Sequence, residues 1–375
     1  RFDGSTNARY DLNRQSFDLG ALKMALTDLR YEGLSGALNL AGSLAGSPNA
    51  GAYTMRQFRV RGNLAGKDIP GGETPLDIVA DGKVDLNADT LSLSRFTAEA
   101  LGLSTEGAME VSALSSTPAY HGQVIVAPFE PRPLLRRLGV GSVNTTDRGA
   151  LSRLAMRANV AGGPNQLSLK DLTVELDQST ARGEIVATGL SGAQRPFVRF
   201  DLSLNGIDAD RYLPPPGKGK REGGTPAGAL PIAAMTQVDL DGQLRIGKFK
   251  INNLRVSNFK LTAKGKDRTV TLNPVSANLY GGTINANGTV SAKTEVPTIQ
   301  IDKTIRGVQA GPLLTHLNGK AAVTGTTDFD LSVRSRGTSE QEILGNANGT
   351  TRFELRDGTI EGVDMAGRIC GQLQK

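Results

Sequence analysis

Two histidines and one cysteine are the chain's few candidates for nucleophilic, general-base or metal chemistry. His121 lies in "AYHGQ", which reads as a turn, and His316 in "LLTHL", which reads as part of a short helix. General-base work needs an imidazole beside a nucleophile or an orienting carboxylate, and neither stretch supplies one. Cys370 is a lone thiol, so no disulfide framework is expected. No G-x-S-x-G elbow, H-E-x-x-H pair or phosphate-cradling loop occurs. Asp85, Asn87 and Asp89 in "DLNADTLSLSRF" have the spacing of the first ligands of a calcium loop. Such a loop then needs Gly, and a bidentate Glu at its twelfth position; Thr90 and Phe96 stand there. The expectation is therefore a protein that is not an enzyme, with no catalytic residue, no metal ligand and no cofactor.

The formal charge is +6, from 43 basic and 37 acidic residues. Basic residues cluster at Arg132/Arg136/Arg137, at Lys218/Lys220/Arg221, and at Lys248/Lys250 near Lys264/Lys266/Arg268. Grooves for single-stranded nucleic acid interleave aromatics with such charges, and these clusters lack them, so no nucleic-acid partner is expected. A solvated face and contact with anionic headgroups remain the two readings.

With side-chain chemistry so sparse, the informative feature is the spacing of apolar residues. In "LSLKDLTVEL" they fall at Leu167, Leu169, Leu172, Val174 and Leu176, with steps of two, three, two and two. The same steps recur at Phe17, Leu19, Leu22, Met24 and Leu26. They recur again at Leu91, Leu93, Phe96, Ala98 and Ala100, and at Val270, Leu272, Val275, Ala277 and Leu279. Steps of two are those of a strand with one buried face. The step of three inserts one residue, as a β-bulge does, and returns the later side chains to the same face; a tight turn between two short strands is the alternative. Gly33, Gly107 and Gly183 follow the last apolar position of three copies by seven residues, while the fourth has Ala286.

Downstream, "PFEPRPLL" (128–135), "GIDADRYL" (206–213) and "GVQAGPLL" (307–314) read as short helices closing their copies. Pro133 and Pro312 suit a first turn, and Asp208 suits an N-cap. The first copy lacks a clear version. Copies starting at 17, 91, 167 and 270 define a tandem repeat of about 75 residues, whose units stack on their neighbours. The organisation expected is a partial β-repeat over 1–82, repeats over 83–150 and 151–213, a flexible Pro/Gly-rich loop over 214–231, a repeat over 232–320, and the truncated start of another over 321–375. With 46 glycines, no Trp and few aromatics, the fold class is mostly β: antiparallel strands in tandem repeats forming an elongated curled sheet with a few short helices. Three short helices are too few to cover about twenty strands, so the apolar face is either a closed core or an open trough.

Two runs resemble the AsmA family of bacterial envelope proteins. They are "NLRVSNFKLTAKGKDRTVTLNPVSANLYGGTINANGTV" (253–290) and "LNGKAAVTGTTDFDLSVRSRGTSEQEILGNANGTTRFELRDGTIEGVDM" (317–365); the "GVQAGPLL" helix start is similar too. The resemblance implies a periplasmic protein anchored to the inner membrane by an N-terminal helix that is missing here. It also implies bridge-like lipid-transfer architecture built from repeating β-groove units. The chain, which begins at Arg1, is expected to be a periplasmic piece of such a protein. No apolar run approaches the roughly 18 residues of a membrane span.

The function expected is binding of phospholipid acyl chains in a hydrophobic β-groove, supporting phospholipid transport between inner and outer membranes. The groove lining is expected at Phe17, Leu19, Leu22, Leu91, Leu93, Phe96, Leu167, Leu169, Leu172, Val174, Leu176, Val270, Leu272, Val275 and Leu279. In "PRPLLRRL", the leucines cap the groove or else touch a membrane. The alternative function is a periplasmic scaffold for outer-membrane protein assembly, with outer-membrane or periplasmic protein partners and no lipid path.

Overall fold

The computed structural model describes residues 1–31, 33–67, 69–140, 143–192, 195–215, 237–321 and 323–359. Most of the predicted 214–231 loop, with Lys218, Lys220 and Arg221, lies outside the described residues, as do the "GVDM" piece and Cys370. The chain divides into two compact units, Arg1–Pro196 and Phe197–Lys375.

The first unit is a meander of eleven strands: β1 (Phe2–Asp11), β2 (Ser16–Tyr31), β3 (Leu34–Ser47), β4 (Ala52–Gly66), β5 (Glu73–Asp85), β6 (Thr90–Ala100), β7 (Leu103–Ser112), β8 (Ala119–Phe129), β9 (Leu154–Gly163), β10 (Gln166–Leu176) and β11 (Ser179–Thr188). Each pairs antiparallel with its neighbours in sequence. Among the described residues β1 does not pair with β11, so the sheet is open and does not close into a barrel. Helix α1 (Pro131–Arg137) follows β8, with its prolines in the first turn.

The second unit has eight strands: β12 (Phe197–Asp208), β13 (Asp239–Ile251), β14 (Leu254–Lys266), β15 (Thr269–Leu279), β16 (Gly282–Ser291), β17 (Thr298–Gln309), β18 (Thr326–Arg336) and β19 (Asn348–Arg356). All neighbours pair antiparallel except β12 and β13, which run parallel. This one parallel pairing departs from the antiparallel expectation. The long connection between the two strands permits it, because parallel neighbours need a crossover that a hairpin cannot supply. A 3-10 turn, Ala209–Arg211, is capped by Asp208, whose carboxylate accepts from Asp210 N–H. Helix α2 (Ala310–Asn318) follows β17 and ends at Gly319, with φ 79°. Helix α3 (Glu340–Gly345), not foreseen from the sequence, is capped by Ser339.

The irregular step is a bulge. On β10, Lys170 and Asp171 stand where β11 offers one residue between Ile185 and Gly183, and Asp171 has φ 49°. The same shift falls between Leu19 and Leu22 on β2, Leu93 and Phe96 on β6, and Leu272 and Val275 on β15. A further copy went unread on β4, where Tyr53, Met55, Phe58 and Val60 keep steps of two, three and two about a shift between Met55 and Phe58. Gly107 and Gly183 each face the first apolar residue after the bulge, Phe96 and Leu172. In the first copy that partner is Gly42, not Gly33: β2 runs on to Tyr31, so Gly33 (φ 86°) serves the turn instead.

Candidate functional site

Antiparallel partners directly opposite each other point to the same side of a sheet, so the register converts spacing into surface. One row crosses ten strands of the first unit: Leu19, Leu44, Met55, Gly82, Leu93, Met109, Gly122, Val160, Leu169 and Ile185. A second row runs beside it: Phe17, Gly46, Tyr53, Val84, Leu91, Val111, Tyr120, Gly162, Leu167 and Ala187. A third carries Met24, Leu40, Val60, Ile78 and Ala98, and reaches Val174 through Val126 and Met156. The second unit repeats the arrangement. Leu204, Ile246 and Phe259 lead across β14, and Ala277, Ile284, Ile305, Phe329 and Phe353 continue the row to the edge. At about 4.8 Å between strands, eleven strands give the first face a run of roughly 50 Å.

All fifteen predicted lining residues lie on these two faces. Leu22, Leu172, Val270 and Leu279 are buried, and the other eleven are half-buried. Each buried one neighbours a glycine on an adjacent strand: Gly42, Gly183, Gly265 and Gly282 respectively. The half-buried ones have neighbours at their sides, and among the described residues the strands contact the strands beside them rather than a second layer. The sequence reading missed the unbulged strands, whose residues fill the same rows. "LNL" in β3 carried the signal, since Leu38, Leu40, Gly42 and Leu44 alternate without a break.

Glycines also permit close approach between strands. A Cβ at Gly62, Gly107 or Gly122 would stand 2.0–2.1 Å from a carbonyl oxygen of the adjacent strand. That oxygen occupies the space a side chain would need, so these positions take glycine where the adjacent backbone comes close.

The opposite face is charged. Arg59 and Arg61 both pair with Asp77, and Arg153 pairs with Glu175, Arg245 with Asp201, and Arg306 with Asp330. Hydrogen bonds from Arg59, then from Arg61, lower the Asp77 pKa to about 2. The unfolded value is near 3.9, so this contribution is complete above about pH 4 and is lost as pH falls toward about 2. Both arginines are half exposed, so solvent screens the pair and its contribution is small. Asp77→Asn is expected to lower the melting temperature at about pH 6 and to make little difference at about pH 2. Equal loss at both values contradicts the assignment.

The remaining candidates have local partners. His121 Nε2 lies 3.1 Å from Glu110 on the exposed face. The His316 ring packs on Tyr280, 5.2 Å between centroids, and its Nδ1 is 2.9 Å from the Pro312 carbonyl. Asp85 accepts from the N–H groups of Asn87 and Ala88, and Asp11 accepts in the same way from Asn13 and Arg14. "DLN" at 11–13 and 85–87 is thus one repeated turn. Arg132 is no headgroup ligand held in reserve: its guanidinium donates to the carbonyls of Val143 and Ala150 and to Thr145 Oγ1. In α1, Pro131 is buried, Leu134 and Leu135 are half-buried, and Leu138 just after it is exposed. No helix among the described residues is long and apolar enough to cross a membrane.

The AsmA family profile matches residues 137–375. No curated protein and no solved structure matches the chain. The match spans well over half of the sequence and covers strands β9–β11 of the first unit and the whole second unit. The chain belongs to the AsmA family, a family of bacterial envelope-associated proteins.

Proposed function

We propose that the apolar faces of the two units bind the acyl chains of phospholipids, and that the chain supports phospholipid movement between the membranes of the bacterial envelope. The observation that carries this reading is the set of long, mainly apolar rows whose described members are mostly half-buried. A monomeric soluble protein rarely exposes apolar patches of more than a few hundred Å², and these rows cross ten strands. Covering them with hydrocarbon yields about 0.8 kcal/mol per CH₂. No side chain needs to perform chemistry, so this is a binding and transport role without catalysis. The full protein is proposed to sit in the periplasm, held to the inner membrane by a segment outside this chain.

The test is native mass spectrometry of the purified chain before and after incubation with phosphatidylethanolamine and phosphatidylglycerol. The expected result is a series of masses displaced by one or more whole phospholipids. A lipid-free spectrum under both conditions sinks the reading and leaves the faces to protein partners, as a scaffold for outer-membrane assembly requires.

A further inference from the structure

The described apolar rows of both units contain one charged residue. Lys303 on β17 lies between Ala286 of β16 and Leu331 of β18. Ile301 and Ile305 flank it on its own strand, on the same side. Its Nζ stands 6.0 Å from the centroid of the Phe329 ring, and Phe329 is a member of the apolar row next to it. The ammonium therefore lies over the apolar face. The acidic neighbours in sequence and register, Asp302 and Asp330, belong to the other face. There they pair with Ser332 and Gln300, and with Arg306. Among the described residues Lys303 forms no ion pair and donates no hydrogen bond.

Lysine on an apolar surface ordinarily extends its stem to bring the ammonium to the nearest water at an edge. Lys303 is the sixth residue of the twelve in β17, and each end of the strand is roughly 17–20 Å away. No edge is within reach. Hydrocarbon lying along this face would strip water from the ammonium, which is costly unless an anion comes with it. The Phe329 ring offsets only part of that cost.

We propose that Lys303 is an anion-recognition point within the apolar face. It holds the carboxylate or phosphate head of an amphiphile whose chain lies on the rows beside it. The proposal rests on the acyl-binding reading above and adds to it a head-group preference and a position for that preference. A neutral amphiphile would bury the ammonium unpaired, whereas an anionic one gains a charge-assisted hydrogen bond.

The test uses the fluorescent probe cis-parinaric acid and its methyl ester, which share one hydrocarbon body, at a mildly alkaline pH where the acid is ionised and lysine remains charged. The wild-type chain is expected to bind the acid about tenfold more tightly than the ester. Lys303→Met should bind both equally, through a rise in affinity for the ester and a fall for the acid, and Lys303→Arg should keep the preference. Met joins an apolar row, so this variant is expected to fold at least as stably as the wild type, checked by thermal melting. Equal binding of acid and ester by the wild type, or an undiminished preference in Lys303→Met, overturns the proposal and leaves acyl binding standing. Failure of both probes to bind overturns the two together. Inorganic phosphate added in excess should leave the acid bound; displacement of the acid but not the ester would show a site for free anions and overturn the amphiphile assignment.

Discussion

The double variant Leu93→Asp, Leu169→Asp is expected to fold and to lose its bound phospholipid. Both residues belong to the row that crosses ten strands of the first unit, and both are half-buried. In the lipid-free chain each new carboxylate reaches water over the open face, so each costs the fold only about 1–2 kcal/mol. Under an acyl chain the same carboxylates lose their hydration with no cation nearby to pair with, a penalty of several kcal/mol. Lipid occupancy is expected to fall at least a hundredfold, since each 1.4 kcal/mol is a factor of ten. Ser168→Asp, one residue away but on the other face against Ala161 and Val186, should leave occupancy unchanged. Native mass spectrometry and circular dichroism read the two effects separately. A double variant with native strand content and full lipid occupancy removes the rows from the proposed path.

The largest effect on stability is expected at a glycine rather than at a leucine. Gly107 faces Phe96 on one side and Val124 on the other, and a Cβ there would stand 2.0 Å from the Gln123 carbonyl oxygen. That oxygen is backbone in the adjacent strand, so it cannot move without breaking the β7–β8 ladder. Gly107→Ala is expected to cost about 3 kcal/mol or more, in the range reserved for disrupted backbone or packing. Gly288→Ala is the control: the nearest atom to its added Cβ is 3.8 Å away, and its φ is not in the left-handed region. That change reduces only the freedom of the unfolded chain and should be neutral or stabilising by up to about 1 kcal/mol. Urea midpoints for the two variants decide the matter. Equal midpoints would mean that the close approach at Gly107 relaxes freely.

Much of the local structure was legible because it is written in local spacing. The step of three in "LSLKDLTVEL" identified a bulge, and the prolines of "PFEPRPLL" and "GVQAGPLL" identified α1 and α2. The β4 copy was overlooked because "AYTMRQFRV" mixes Tyr, Met and Phe among arginines, so its pattern is weaker by composition than by position. The shared seven-residue glycine spacing does not mark one structural position, because β2, at 16 residues, is longer than β6 and β10, at 11.

Sequence alone determined which side chains of a strand share a side, and that most of those shared sides are aliphatic. Alternation is a property of one strand, and a strand needs no partner to have it. The family was also legible, in runs over 253–290 and 317–365. Tertiary structure decided what one strand cannot specify. Register aligned the alternating residues of separate strands into continuous rows, and register is set by hydrogen bonds between segments, not within them. Pairing also made β12–β13 parallel, and it placed Lys303 between Ala286 and Leu331 instead of at an edge. Whether an apolar face is sealed depends on what packs above it, and among the described residues the strands bring neighbours only to its sides.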